Sequence, residues 1–455
     1  MRRPPTRIAL TVGAILLAAL VIRVWEVQRT AYRPINDAGS YLTLASEIAH
    51  TGDYSNRRAA GSGAGGTRGP SAYFPPGYPY FLAAVDLIDG HTARRGAAIH
   101  SARLSQAVLG TVIVALVGLV ALEAFGSATA ALIALALAAV YPVLIELSGT
   151  LVAENLLTAL VLAATWAALR AARSPHPYRW IAAAGVLTGL TILTHVNGVV
   201  LIVPLAFAAV RARRTPAAPA LLIATALITV SPWIVRNAIV LHRFVPVSDE
   251  TGITLVGTYN RASAAYKPVP YKWRLYYGIP GEHALIRQSR HLTEPELSQR
   301  LQSQALHYIG AHPLSPLAVT YHNSLRLLEL EGTFAWHASA AAIDLPLQTA
   351  RIGVVAFWLL CVLAIAGALT RPVRAAPRWL WAVPVLLWLS VAAVNAETPR
   401  FREPVDPFLI LLAASAVAAA AAGVGRRLVG APVGGEAGTS VTHPAEPIEV
   451  GKRLP

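Results

Sequence analysis

Asp37, Glu154, Arg236, Arg400 and Arg402 fall at the same end of successive apolar runs. A carboxylate held beside a hydroxyl can act as a general base. Guanidinium forks suit phosphate oxygens, and a lipid-borne phosphate lies at the depth where apolar runs end. Only 13% of the chain is charged, against roughly 25% in soluble proteins, so the place where charge collects is informative. The pattern predicts a reaction centre at a membrane face, built for an anionic substrate. Each residue also has a plainer reading. Asp37 could cap a helix, Glu154 could snorkel, and the arginines could meet ordinary lipid headgroups. If Glu154 instead faces a cavity, it either orients an acceptor or ligates a divalent metal.

Other residues are candidates for the walls of such a centre. His195 and Asn197 interrupt an apolar stretch, and Tyr41 and Tyr78 lie in the first long loop; all four are expected to line the cavity. The histidines show no metal-ligand spacing such as HxxxH, so the sequence offers no zinc motif and leaves any metal unassigned. GxxxxGK[ST], paired CxxC and a GxSxG elbow are missing, which disfavours nucleotide hydrolysis and serine-hydrolase chemistry.

These residues must be positioned by membrane spans. With 455 residues of which 55% are hydrophobic, the chain reads as one polytopic, all-α membrane domain. Apolar windows of span length occur at 8–25, 103–124, 128–148, 151–171, 217–235, 352–370, 379–395 and 404–423. A further stretch, Trp180 to Val210, is broken at Thr194-His195-Val196-Asn197-Gly198. It is long for one span and short for two, and we read it as a hairpin of two short helices, giving about ten transmembrane helices. Polar residues at that depth are tolerated where they line a protein cavity.

Twelve arginines in four acid-free connectors (1–7, 170–179, 211–216 and 371–378) then share one side, the cytoplasm by the positive-inside rule. The long loops, about 26–102 and 236–351, fall outside, and both termini fall in the cytoplasm of a plasma (inner) membrane protein. In the first loop, Tyr41, Leu44, Ala45 and Ile48 share one helical face, the spacing of an interfacial helix. Residues 59–70 read as a Gly/Ser/Ala linker, and 80–88 as a second interfacial helix. Thr293-Glu294-Pro295-Glu296 is a capping box opening a helix to about Ala311. Residues 1–423 form the expected domain, and 424–455 a disordered cytoplasmic tail.

The net charge of +15 does not indicate nucleic acid, because no basic stripe with interleaved aromatics occurs. Cys361 is the only cysteine, so no internal disulfide can form. The N-terminal run lacks a small-x-small cleavage site and is expected to be a retained span.

Five stretches, taken in order, resemble the GT-C superfamily of membrane glycosyltransferases. They are Asn36-Asp37-Ala38-Gly39-Ser40-Tyr41; Phe74 to Pro79; Ala153-Glu154-Asn155-Leu156; Pro232 to Asn237 with Arg243 to Ser248; and Arg400 to Pro407. The pattern is most similar to family 39 and its bacterial relatives: protein O-mannosyltransferases, lipid A aminoarabinose transferases and Rgt-type lipopolysaccharide transferases. The resemblance implies an inverting transferase that moves a sugar from a polyprenyl-phosphate donor to a hydroxyl on a glycan, lipid or protein. It implies Asp37 as catalytic base, Glu154 as the second acid, and Arg236, Arg400 and Arg402 near the donor phosphate. Relatives often carry Arg or Lys where this chain has His195. The alternative from another class is a transporter or flippase of a lipid-linked sugar, although the two halves lack the repeat symmetry usual in transporters.

Overall fold

The computed structural model describes residues 6–55, 69–90, 95–279 and 291–429. Regular structure among these is helical, apart from one isolated bridge between Ser55 and Pro70. Helical passages stand at all ten expected positions. They are α1 (Thr6–Arg29), α4 (Arg95–Phe125), α5 (Ala128–Val140) with α6 (Pro142–Leu147), α7 (Glu154–Ala171), α8 (Pro177–Thr194), a 3-10 turn with α9 (Ile202–Ala212), α10 (Ala217–Leu241), and the helices Leu347–Ala368, Arg378–Ala392 and Asp406–Val429. Five are long and apolar enough to cross a membrane: α1, α4, α10, Leu347–Ala368 and Asp406–Gly423. The others are shorter, interrupted or more polar. Helix α7 for instance buries Glu154, Asn155, Thr158 and Thr165 among its neighbours.

Local sequence explains the interruptions. Tyr141 is extended and Pro142 occupies the first turn of α6, so α5 stops there. His195 is extended too (φ −154°, ψ 130°), and the chain resumes as the 3-10 turn Val196–Leu201. The hairpin is therefore broken where the polar residues predicted it.

The two largest apolar clusters among the described residues organise the molecule. The larger lies among α4, α5, α7, α8, α9 and the last helices, and includes Val117, Leu162, Leu205, Leu380 and Phe408. The second lies beneath the two long loops and joins α2 (Asn36–Thr51), α3 (Gly77–Ile88), α11 (Thr251–Thr258) and the helix Glu294–Ala311. Tyr41, Leu44, Ala45 and Ile48 are buried on one face of α2 as their spacing requires. The capping box at Thr293 is formed, with Glu296 returning to the Thr293 N–H.

The second long loop holds more helix than its sequence indicated: Thr251–Thr258, Ser315–Leu327 and Thr333–Ala342 stand beside Glu294–Ala311. The last span starts at Asp406 and runs to Val429, so helix continues past the expected start of the tail at 424. Residues 430–455 and most of the 59–70 linker lie outside the described residues.

Candidate functional site

Asp37 stands in the first turn of α2, yet the helix is entered from Ile35 with no side-chain cap. Asn36, at φ 50°, instead donates its amide to Ala342 O at 2.9 Å, which pins the start of α2 to the second long loop. The Asp37 carboxylate turns to Arg400, with Oδ2 2.8 Å from Nη1. Glu154 opens α7, and its Oε1 accepts from Arg400 Nε at 2.7 Å. Arg400, on the 3-10 turn Arg400–Arg402, therefore bridges two acids carried by separate helices.

Exposure is asymmetric. The Glu154 side chain is 1% exposed and that of Arg400 10%, whereas that of Asp37 is 33% exposed. The centre is closed behind Glu154 and open at Asp37. Burial opposes the charge of Arg400, but Glu154 and Asp37 outweigh it and hold the guanidinium well above its ordinary range. Glu154 Oε2 is enclosed without a hydrogen-bond partner. Arg400 Nη2 also has no protein partner among the described residues. Arg400 Nη2 is thus the donor left for a substrate, while Glu154 Oε2 is shut in behind it.

Beside this ion triad is a cavity of about 240 Å³ lined by His195, Asn197, Glu250, Asn395 and Phe401, among others. His195 Nδ1 accepts from the Asn197 N–H at 3.4 Å, and its ring meets the Phe401 ring edge-on at 6.1 Å. Glu250 precedes α11. Enclosure raises its carboxyl to about 8; the charges of Asp37 and Glu154 add to the rise and Arg400 opposes it. A larger groove of about 780 Å³, between Arg378–Ala392 and the last helix, is mostly apolar and carries no acid.

The other two arginines do not join the triad. Arg236 donates to Ser71 O and Tyr54 O, each at 2.7 Å, and lies over the Trp233 ring at 4.7 Å. It fastens the first long loop to α10. Arg402, 1% exposed, is enclosed by Glu329 (2.8 Å), Asp406 (3.1 Å), Leu327 O (2.9 Å) and the Phe357 ring. Both were expected beside a phosphate; here their donors face protein.

Tyr41 and Tyr78, expected at the cavity, are instead packed in the core. Their rings are 4.9 Å apart, Tyr41 meets Phe74 at 4.7 Å, and Gln106 donates to the Tyr78 hydroxyl. Conversely, Glu250 escaped the sequence reading. Its signal was an acid just beyond Arg243 to Ser248, in a chain where acids are few.

The residues present do not fit a bound divalent metal. Arg400 occupies the position between Asp37 and Glu154 that a bridging cation would need, and no group of three or more His, Cys, Asp or Glu suited to a metal occurs among the described residues.

Residues 74–235 match the family model described as dolichyl-phosphate-mannose-protein mannosyltransferase. That segment includes Glu154, His195 and Asn197. No curated protein sequence matches the chain. Among solved structures, the Archaeoglobus fulgidus oligosaccharyltransferase in complex with Zn and sulfate is similar at a TM-score of 0.52 and 15% identity, covering 91% of this chain and 50% of that one. The archaeal oligosaccharyltransferase AglB of the same organism, with an inhibitory peptide and a dolichol-phosphate, gives 0.49 and 13%, covering 92% and 52%. ArnT from Cupriavidus metallidurans bound to undecaprenyl phosphate gives 0.42 and 18%, covering 91% and 79%. The chain spans about half the length of the oligosaccharyltransferases it matches. Its fold is similar to that of the Archaeoglobus fulgidus oligosaccharyltransferase, and the family-model match runs from the first long loop through the broken hairpin into α10.

Proposed function

We propose that the protein is an integral-membrane glycosyltransferase taking its sugar from a polyprenyl-phosphate donor at the extracytoplasmic face. The observation that carries this reading is the bridge Asp37–Arg400–Glu154, which joins three distant parts of the chain at one level. The family-model match over residues 74–235 supports the choice of a lipid-phosphate donor.

The acceptor hydroxyl of a glycan, lipid or protein enters from the open side, at Asp37. Its oxygen attacks the anomeric carbon while the bond from that carbon to the phosphate oxygen breaks, with inversion. Asp37 takes the hydroxyl proton, a contribution of about 10²–10⁴-fold. Arg400, with Nη2 to spare, receives the charge left on the departing polyprenyl phosphate. Glu154 holds Arg400 in place from the closed side of the centre. Arg236 and Arg402 hold the loops that build this site, with Arg400 as the phosphate-facing cation.

The test is Asp37→Asn in the purified protein with a polyprenyl-phosphate sugar and candidate acceptors. Transfer should fall by about 10²-fold or more, with melting and membrane insertion unchanged. Near-normal transfer would remove Asp37 from the mechanism. A flippase would return its lipid-linked sugar unchanged, so formation of glycosylated product separates the two classes.

A further inference from the structure

The groove of about 780 Å³ between the helix Arg378–Ala392 and the last helix takes no part in the chemistry at Arg400. Its two walls lean on different neighbours. Arg378–Ala392 packs against the 3-10 turn, α9 and the helix Ser315–Leu327, whereas the last helix packs against Leu347–Ala368 and α5. Pro384, inside Arg378–Ala392, also removes a rung of that helix's ladder, the ordinary origin of a bend. Val385 and Leu389 line the groove and are exposed. An apolar cleft of this kind, facing a bilayer, is filled by hydrocarbon.

The charged end of the groove selects the occupant. Arg374 and Arg378 line that end, are exposed, and make no ion pair or hydrogen bond among the described residues. The lining holds no acid, so two guanidinium groups are left for an anion. Trp381, one turn along from Arg378, has an indole N–H without a partner among the described residues. A phosphate held by the arginines leaves the ester carbonyls of a phospholipid one step deeper, towards that N–H, at the interfacial level that tryptophan favours. From Arg378 to Leu389 the groove runs roughly 16 Å along the helix, about half of a ~30 Å hydrocarbon core. That is the depth of one leaflet, which suits acyl chains rather than the much longer tail of a polyprenyl carrier. The arginines also stand at the opposite end of this helix from Arg400.

We infer that the groove binds one anionic phospholipid, with its phosphate on Arg374 and Arg378, its ester region at Trp381 and its chains between Val385 and Leu409. Basic pockets between spans at the cytoplasmic side recognise anionic headgroups in this way. The connectors read as cytoplasmic, so the lipid comes from the inner leaflet. Its chains fill the space between the two helices up to Val405, whose N–H donates to Arg402 O at 2.8 Å. Occupancy therefore steadies the turn that carries Arg400. The inference stands apart from the transfer reading and needs only a membrane protein.

Native mass spectrometry of the delipidated full-length protein in detergent tests it. The probes are phosphatidylglycerol, phosphatidylcholine with the same chains, and undecaprenyl phosphate. Phosphatidylglycerol should bind about tenfold tighter than phosphatidylcholine, within what two interfacial arginines supply; equal binding overturns the assignment. Arg374→Gln with Arg378→Gln should erase the preference and the rise in melting temperature that phosphatidylglycerol gives the wild type. Arg211→Gln with Arg213→Gln makes the same charge change in another connector and should keep the preference within about twofold. Equal loss in both pairs would mean diffuse charge attraction and no built site. Val385→Trp, at an exposed position on the wall, should weaken both phospholipids about fivefold or more while the lipid-free protein melts as before. Undiminished binding there would take the chains out of the groove. One-for-one displacement of phosphatidylglycerol by undecaprenyl phosphate would give the groove to the carrier, and a dimer that phosphatidylglycerol disperses would give it to a second copy; either overturns the inference.

Discussion

Glu154 is enclosed almost completely, and its one described ionic partner is Arg400. Removing a single member of such a pair leaves the other charge stranded, at a cost of about 3–5 kcal/mol. Arg400→Ala should therefore melt well below the wild type, whereas Arg400→Lys keeps the charge and should fold. Lysine cannot present Nε to Glu154 and Nη1 to Asp37 together, so Arg400→Lys should lose at least about tenfold in transfer. A normal melting temperature for Arg400→Ala would show that the bridge contributes nothing to the fold. A second acid pair, between the long loops, behaves differently. Glu294 accepts from Ala72 N–H at 2.6 Å and Ser71 Oγ at 2.8 Å, and the Asp249 carboxyl lies against it. Burial, then the neighbouring Glu294 charge, raise Asp249 to about 9; burial raises Glu294 to about 6 against its hydrogen bonds. The folded state then binds more protons than the unfolded one. This contribution to stability is fully present below about pH 4 and is lost as pH rises towards 9. Asp249→Asn should flatten the fall in melting temperature between pH 6 and 9; an unchanged slope would show that this pair does not govern it.

Between helices, α8 packs closely on α10. A Cβ added at Gly185 would come within 2.4 Å of Leu222 O, and one at Gly189 within 2.8 Å of Ala226 O. Small residues four apart let helix backbones meet in a membrane, where close packing replaces the hydrophobic drive. Gly185→Val should force the pair apart at a cost of about 1–3 kcal/mol, seen as a lower melting temperature. Because the site lies past the C-terminal end of α8, more than two turns from Gly185, transfer per folded molecule should stay within a few-fold. A loss of transfer at unchanged stability would instead tie this contact to the reaction. The helix pair itself was legible: hydropathy placed both spans, and Thr194-His195-Val196-Asn197-Gly198 marked the break. The second long loop was not. Thr251–Thr258 and Thr333–Ala342 are short, and their burial comes from contacts with distant segments that no local periodicity announces. The same limit applies to the arginines. Charge spacing put Arg236, Arg400 and Arg402 at one end, but only packing shows that Arg236 serves Tyr54 and Ser71 while Arg402 serves Glu329 and Asp406.

Taken whole, the molecule gathers most of its buried acid–arginine pairs at the long-loop end. Acids and arginines at the long-loop end are paired in buried networks, including Arg402–Glu329 at 2.8 Å and Arg326–Glu331 at 2.9 Å. At the opposite end, Arg170 and Arg173 pair with Glu123, but Arg211, Arg213, Arg214, Arg371 and Arg374 sit in short acid-free connectors and are exposed. Unpaired connector arginines are what the positive-inside rule counts, whereas residues in long translocated loops weigh little. This division predicts that the triad faces outwards and the connectors face the cytoplasm. With Cys361 the only cysteine, a Cys361→Ser background allows single-cysteine mapping in intact cells. Thr43→Cys, exposed on α2, should react with a membrane-impermeant maleimide from outside. Thr215→Cys, exposed in the connector before α10, should react only after permeabilisation. The reversed pattern would put Asp37 and Arg400 in the cytoplasm, where the polyprenyl-phosphate sugar would have to be presented from the inner leaflet. The proposed reaction could then keep its residues but not its side of the membrane.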